Sequence, residues 1–359
     1  MTVEEGGIAA GPQVSPRLQA LDRKWVENEL RSHGYPDVEV AALRSTPLAT
    51  PGAVGDIARI HIEYGSAAPA GPATVIAKIR GADEQRAGMD AAMRLYEREL
   101  WFYSEFADQC RLASPRCLGE GDGTTTPLLL QDLADMRAGD QVAGMPVADA
   151  GRIVDALAAQ HAAFWESPLC DEPHVVQPTE PLIAGAVAQL VNSGVPALRE
   201  YEDRAPAGAI DAVERLAPRW MDVLHACAEG PHTLLHNDLR LDNVFFTDDG
   251  TPVFVDWQMI GASRGTQDVG NILAGSMNIE DLRQHWEPLL RRYHDGLLAG
   301  GVRDYSFDDC VRHYRQTILY PLGQGIALVG ALAGRGGLAD AALLRPLLHC
   351  HDLDAFTTI

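Results

Sequence analysis

Three oxygen-bearing side chains set the chemistry open to this chain: Asp238, Asn243 five residues later, and Asp256 thirteen residues after that. They lie in HNDLRLDN, residues 236–243, and VFVDWQ, residues 253–258. Carboxylate and amide oxygens are the ligands that hard magnesium prefers, with waters and phosphate oxygens taking its other positions. Asn243 and Asp256 are therefore candidates to hold Mg2+. Asp238, on the loop ahead of them, can accept a proton from a substrate hydroxyl. Together the residues suit the transfer of a phosphoryl group from a nucleotide to an alcohol.

Such residues need an element that brings them together. Between Asn243 and Asp256 two apolar, β-prone runs flank Asp249-Gly250, which predicts a hairpin with a two-residue turn. That register sets Asn243 opposite Asp256, with Cβ atoms roughly 5 Å apart on one face. It also sets Pro252 opposite Thr247 at a non-hydrogen-bonded pair, where a missing N–H does little harm. A three-residue pattern can arise by chance, and His-x-Asp also occurs in metal hydrolases, but the hairpin and Asp256 favour the phosphate reading.

On these motifs the chain, over roughly residues 40–300, resembles the aminoglycoside phosphotransferase and choline kinase superfamily. These are small-molecule relatives of the protein kinases and include the ecdysteroid-kinase-like group. The resemblance implies an α+β, protein-kinase-like fold of two lobes, with an N-lobe antiparallel sheet plus helix and a mainly helical C-lobe. It implies Asp238 as the catalytic Asp and Asn243 and Asp256 as magnesium ligands. His236 would brace the loop rather than react. Trp257 follows Asp256 where protein kinases carry Phe-Gly, which points to a small-molecule kinase. Arg240 occupies the position of a lysine in many protein kinases, and it could contact the transferring phosphate, brace the loop or face the substrate.

The upstream sequence offers the parts of a nucleotide-binding lobe in order. Ile60, Ile62 and Tyr64 alternate with Arg59, His61 and Glu63, the period of a half-buried strand. Gly52 and Gly55 ahead of it could turn tightly near phosphate or make an ordinary β-turn. ATVIAKIRG, residues 73–81, is a strand with one cation, Lys78, in an apolar run; a solvated lysine is the other reading. In the family such a lysine contacts the α- and β-phosphates. Its partner is expected on the helix of residues 87–110, where Met89, Met93, Tyr96, Leu100 and Tyr103 recur at helical spacing. Glu99 is the chosen partner and Glu97, about 200° away around the helix, the fallback. PLLLQDLAD resembles the family's hinge, where backbone groups near Gln131 and Leu133 would meet the adenine edge.

The following segments read as helices. Residues 148–166 carry Ile153, Leu157, His161 and Phe164 at helical spacing, with His161 a packed core histidine rather than a ligand. Residues 211–230, 281–299 and 308–332 are also amphipathic. Asp268 stands just before an apolar run and is expected to cap a helix amino terminus. Residues 1–16 are expected to be a disordered tail, followed by a helix from Pro16 to His33 that buries Leu18, Leu21, Trp25 and Leu30. The domain reading is an N-lobe over 17–133 that binds nucleotide and a C-lobe over 134–359 with the catalytic loop and substrate-binding helices.

Composition agrees. The 359 residues, 46% hydrophobic, suffice for two lobes each with a core. A net charge of −21 argues against nucleic acid or anionic membrane as a partner and tilts the acceptor towards a cation, such as an aminoglycoside or a choline-like amine. No apolar run is read as approaching the about 20 residues of a membrane span. The six cysteines have no C-x-x-C spacing, which fits a reduced, cytoplasmic protein; His349-Cys350-His351 points its neighbours about 100° apart on a helix, unsuited to one metal. The expected activity is ATP- or GTP-dependent phosphorylation of a small-molecule hydroxyl, with a nucleotide-binding pseudokinase as the alternative. The acceptor would be chosen by residues 167–230 and the carboxy-terminal helices.

Overall fold

Branched apolar residues alternating with polar ones build a sheet in the first part of the chain. The computed structural model describes residues 13–48, 55–65, 69–332 and 337–359; most of the expected tail, and Gly52, lie outside them. Two units result, one from residues up to Phe106 with Pro115–Ala134, the other from Ala107–Ser114 with Asp135–Ile359.

The first unit is a five-stranded antiparallel sheet in the order β1-β2-β3-β5-β4. The strands are β1 (Val40–Pro47), β2 (Gly55–Tyr64), β3 (Thr74–Arg80), β4 (Cys117–Gly119) and β5 (Leu128–Gln131). Ala58 and Ile60 of β2 and Val75, Ala77 and Ile79 of β3 are buried on one face, against Leu18, Val26 and Leu30. The expected first helix is two, α1 (Pro16–Gln19) and α2 (Arg23–Ser32). Asp22 breaks it, because its carboxylate accepts the Lys24 and Trp25 N–H groups and starts a new helix. Val14, assigned to the tail, is buried. The helix expected over 87–110 is likewise interrupted: α3 (Glu84–Met93) ends at Arg94 in the left-handed conformation, α4 (Leu95–Trp101) follows, and Phe102–Phe106 is a π-helical turn. The break rotates Met89 into solvent and leaves Tyr96, Phe102 and Tyr103 buried.

The second unit is mostly helical. Its order is β6 (Arg137–Ala138), α5 (Val147–Ala163), α6 (Pro181–Gly194), α7 (Ala209–Leu216), α8 (Trp220–Ala228), β7 (Thr233–Leu235), β8 (Val244–Phe246), β9 (Pro252–Phe254), β10 (Gly261–Ser263), α9 (Thr266–Ser276), α10 (Ile279–Ala299), α11 (Phe307–Thr317), α12 (Leu319–Leu332) and α13 (Gly337–Asp352). Pro218 splits the helix expected over 211–230, and 308–332 breaks at Ile318. Every residue of α9 is buried, so this helix is the axis around which α5, α10, α11, α12 and α13 pack. One expectation fails on composition: by length and apolarity Pro181–Tyr201 could cross a membrane. Here it is α6 and a 3-10 turn packed on α8 and α12.

The hairpin forms one residue out of the expected register. Phe246 pairs with Pro252 and Val244 with Phe254, so Asn243 lies opposite Val255, whose N–H it accepts at 3.0 Å. The turn has three residues, not two. The Gly250 N–H reaches the Thr247 carbonyl, and Gly250 is left-handed at φ +85°, a type I turn closed by a bulge. Local side chains select it: the Thr251 N–H is accepted by both Thr247 Oγ1 and the Asp249 carboxylate.

Two histidines give the second unit a pH dependence. His313 of α11 and His349 of α13 are buried, and burial lowers each to about 4 from 6.5; Arg264 and Arg312 add to this at His313 against Asp309, and at His349 Asp352 opposes it while Arg283 adds to it. His349 accepts or donates to the Tyr314 hydroxyl at 3.0 Å. Cys350 is buried, whereas His351 is exposed. Between pH 6.5 and 4 the unfolded chain takes up protons that the folded chain refuses, so this stability is present above pH 6.5 and lost on acidification. Denaturant melts at pH 7 and pH 5 should differ by about 2 kcal/mol per histidine. Equal stability at both values would show that these two rings can protonate within the fold.

Candidate active site

The loop from β7 to β8 carries Asp238, and its path is set by buried hydrogen bonds rather than by regular structure. His236 and Asn237 turn their N–H groups onto the Asp268 carboxylate at 2.7 and 2.9 Å. Asp268 is in the first turn of α9 and fully buried. It is thus no helix cap, as expected from its position, but a clamp reaching back about thirty residues to the loop, where two charge-assisted bonds compensate its burial. His161 packs beside it, with Nε2 at 3.6 Å and Nδ1 bonded to the Tyr293 hydroxyl at 2.8 Å.

On the loop's far side Gln141 accepts the Leu241 N–H at 2.8 Å and donates to the Gly275 carbonyl at 2.6 Å. Asp242 accepts the Gln141 N–H at 3.0 Å. His236, buried, is bonded through Nε2 to the Val255 carbonyl at 2.9 Å and lies 4.7 Å from the Trp257 ring. It ties the loop to the hairpin.

Asp238 is half-buried at the centre of this scaffold. Removal from water raises its carboxyl above the ordinary range; Asp256 pushes in the same direction, while Arg240, His236 and a hydrogen bond from Asn243 oppose it. Asn243 directs Nδ2 to the Asp238 carbonyl at 2.9 Å, so the amide oxygen is the end left for a cation. Asp256 has φ +70° and ψ +63°, left-handed. A one-residue slip in register would turn a strand residue to the opposite face, and this kink just past β9 sets Asp256 apart from the strand's alternation. An oriented amide oxygen and two mutually repelling carboxylates are a donor set that fits Mg2+. Arg240 is exposed, and its guanidinium has no bonding partner among the described residues.

In the first unit Lys78 is on the face of β3 opposite Val75, Ala77 and Ile79. Its Nζ is 2.6 Å from Glu99, which is 2% exposed. Glu97 instead pairs with Arg94 at 2.6 Å, so the helix phase selects Glu99 as expected. Gln131 ends β5 and exchanges backbone and side-chain bonds with Arg116; Leu133 is buried. Between them Asp132 holds Arg59 through two hydrogen bonds, at 2.5 and 3.1 Å. Gly55 begins β2 instead of making a turn, and a Cβ there would stand 2.9 Å from the Ile79 carbonyl oxygen.

Asp268 and Gln141 were not singled out as loop supports, since neither lies near the loop in sequence. Asp268→Ala should therefore lower stability by about 3 kcal/mol or more, the cost of two buried N–H groups left without an acceptor. Denaturant titration checks this, and a loss below about 1 kcal/mol would show that the clamp is dispensable.

A model of the phosphotransferase enzyme family matches residues 43–307. Among solved structures, choline kinase from Cryptosporidium parvum Iowa II is similar at 11% identity and a TM-score of 0.54, covering 93% of this chain and 95% of that one. Ethanolamine kinase from Plasmodium vivax is similar at 12% identity and 0.51, covering 88% and 83%. At these identities the likeness is one of fold, the kinase-like α+β arrangement. No curated protein matches the sequence.

Proposed function

This chain belongs to the phosphotransferase enzyme family, and from that premise we propose that it moves the γ-phosphoryl group of ATP or GTP to a hydroxyl of a small molecule. The observation that carries the reading is the half-buried Asp238 beside Asn243 and Asp256, on a loop fixed by Asp268. Asp238 orients the acceptor hydroxyl and takes its proton; a carboxylate of raised pKa is the better base for that task. Asn243 and Asp256 hold Mg2+. When bound, MgATP or MgGTP supplies the phosphoryl group and the neutralisation of its charge.

The remaining roles follow the family's pattern. Lys78, paired with Glu99, positions the α- and β-phosphates; Gly52, a glycine of the family-like loop, lies outside the described residues. Backbone groups of Gln131 and Leu133 bind the adenine edge. Arg240, exposed and with no bonding partner among the described residues, meets the transferring phosphate. Nucleotide consumption with magnesium and a panel of hydroxyl compounds tests the reading. Turnover is expected only when an alcohol is present. Nucleotide binding without turnover over a broad panel would instead establish a pseudokinase.

A further inference from the structure

Among the described residues, His33, Cys117 and Glu120 bring a ring nitrogen, a sulfur and a carboxylate oxygen within 4.8 Å of one another. All three belong to the first unit. His33 caps the end of α2, Cys117 opens the edge strand β4 and Glu120 follows it. Packing explains the meeting: Leu118 of β4 shares a buried core with Val26 and Leu30 of α2, which lays the helix against the strand. Gly119 lets the two close up, since a Cβ there would stand 2.9 Å from the Glu29 Cβ.

The surroundings are those of a metal site. Glu29, four residues before His33 on the same helix face, adds a second carboxylate. Its Oε2 accepts the Glu120 N–H at 3.2 Å and lies 3.9 Å from His33 Nδ1. That Nδ1 is also 2.8 Å from the Glu29 carbonyl; a carbonyl only accepts, so Nδ1 carries the proton and Nε2 is left with the lone pair. A backbone carbonyl holding the other ring nitrogen is the usual support of a metal-bound histidine. The thiol faces both carboxylates: burial first, and with it the charges of Glu120 and Glu29, push Cys117 up to about 11, while hydrogen bonding at Gly119 opposes them. Arg116, the neighbouring cation, is engaged by the His33 carbonyl at 3.1 Å and by the Tyr35 ring.

Imidazole, thiolate and carboxylate together suit zinc, whereas magnesium and calcium want oxygen alone. Around one tetrahedral zinc, bonds of roughly 2.0–2.3 Å set the donors roughly 3.3–3.8 Å apart, so side-chain movements of about an ångström would gather these three. We propose that the first unit binds one Zn2+ ion through His33, Cys117 and Glu120, with Glu29 as a positioning residue, and that the ion clamps α2 to β4. On binding, the Cys117 S–H bond breaks, the sulfur bonds the metal as thiolate and the proton leaves to solvent; nothing is oxidised. The site is independent of the phosphotransferase reading, whose proposed magnesium ligands carry no sulfur.

Co2+ is the probe, because a cobalt–thiolate bond absorbs in the near ultraviolet and an all-oxygen site such as Asn243 with Asp256 does not. Titrating the full chain, stripped by a chelator and kept reduced, should give that band at one sulfur-bound Co2+ per chain, and Zn2+ should displace it. Cys117→Ser should remove the band, and His33→Gln and Glu120→Gln should each weaken Zn2+ binding at least about tenfold. Zn2+ should raise the melting temperature of the native chain and leave that of Cys117→Ser unchanged. Glu120 is exposed, so its variant keeps the test open even where the cysteine variant fails to fold. A chain without the band, a band that survives Cys117→Ser, or Zn2+ affinity untouched by the Glu120 and His33 variants would overturn the proposal.

Discussion

Asp238→Asn should keep nucleotide affinity within a few-fold of the native protein and lower turnover by at least about a hundredfold, as expected for loss of a positioned base. The amide keeps the size of the side chain and loses the charge. Asn243 bonds the Asp238 backbone carbonyl and Asp268 holds the two preceding N–H groups, so the loop's path does not depend on the Asp238 side chain. Single-turnover phosphoryl transfer, with nucleotide affinity measured alongside, separates the effects. A variant that retains most of its transfer would remove the catalytic role from Asp238 whatever the fold.

Asp256→Ala should abolish magnesium-dependent nucleotide binding and leave the protein folded. Asp256 stands beyond the last strand residue of the hairpin, so the core pays little for its loss, about 1 kcal/mol for placing alanine in a left-handed conformation. Calorimetric titration of ATP with and without magnesium reads the outcome. Asp256→Asn keeps one ligand oxygen and should fall between the two. Unchanged magnesium dependence in the alanine variant would show that the cation is held elsewhere.

Much of the candidate site's geometry was legible because its residues lie in short motifs. Lys78 is the cation of an otherwise apolar strand, and it needed a carboxylate from a neighbouring helix. Glu99 could be preferred to Glu97 by phase, and the break at Arg94 did not spoil that inference, because both glutamates belong to the same short helix α4. The hairpin was legible as an element but not in register. Its turn is decided by side-chain hydrogen bonds of Thr247 and Asp249, which act at the level of single atoms, whereas Asp-Gly is only a preference. Asp268 was legible as a polar residue starting an apolar helix. Its true partners, the N–H groups of His236 and Asn237, are joined to it only by the packing of α9 through the middle of the second unit.

The left-handed backbone at Asp256 has a bearing on which sequences this site can ever sample. At φ +70° a branched or bulky side chain is disfavoured, while Asp, Asn and Gly are tolerated. The proposed metal ligation would independently ask for a side chain ending in oxygen. Glycine passes the conformational filter and fails the chemical one; glutamate does the reverse. Only aspartate and asparagine pass both, so under the proposed role two unrelated constraints, one of backbone and one of ligand chemistry, act on this single position.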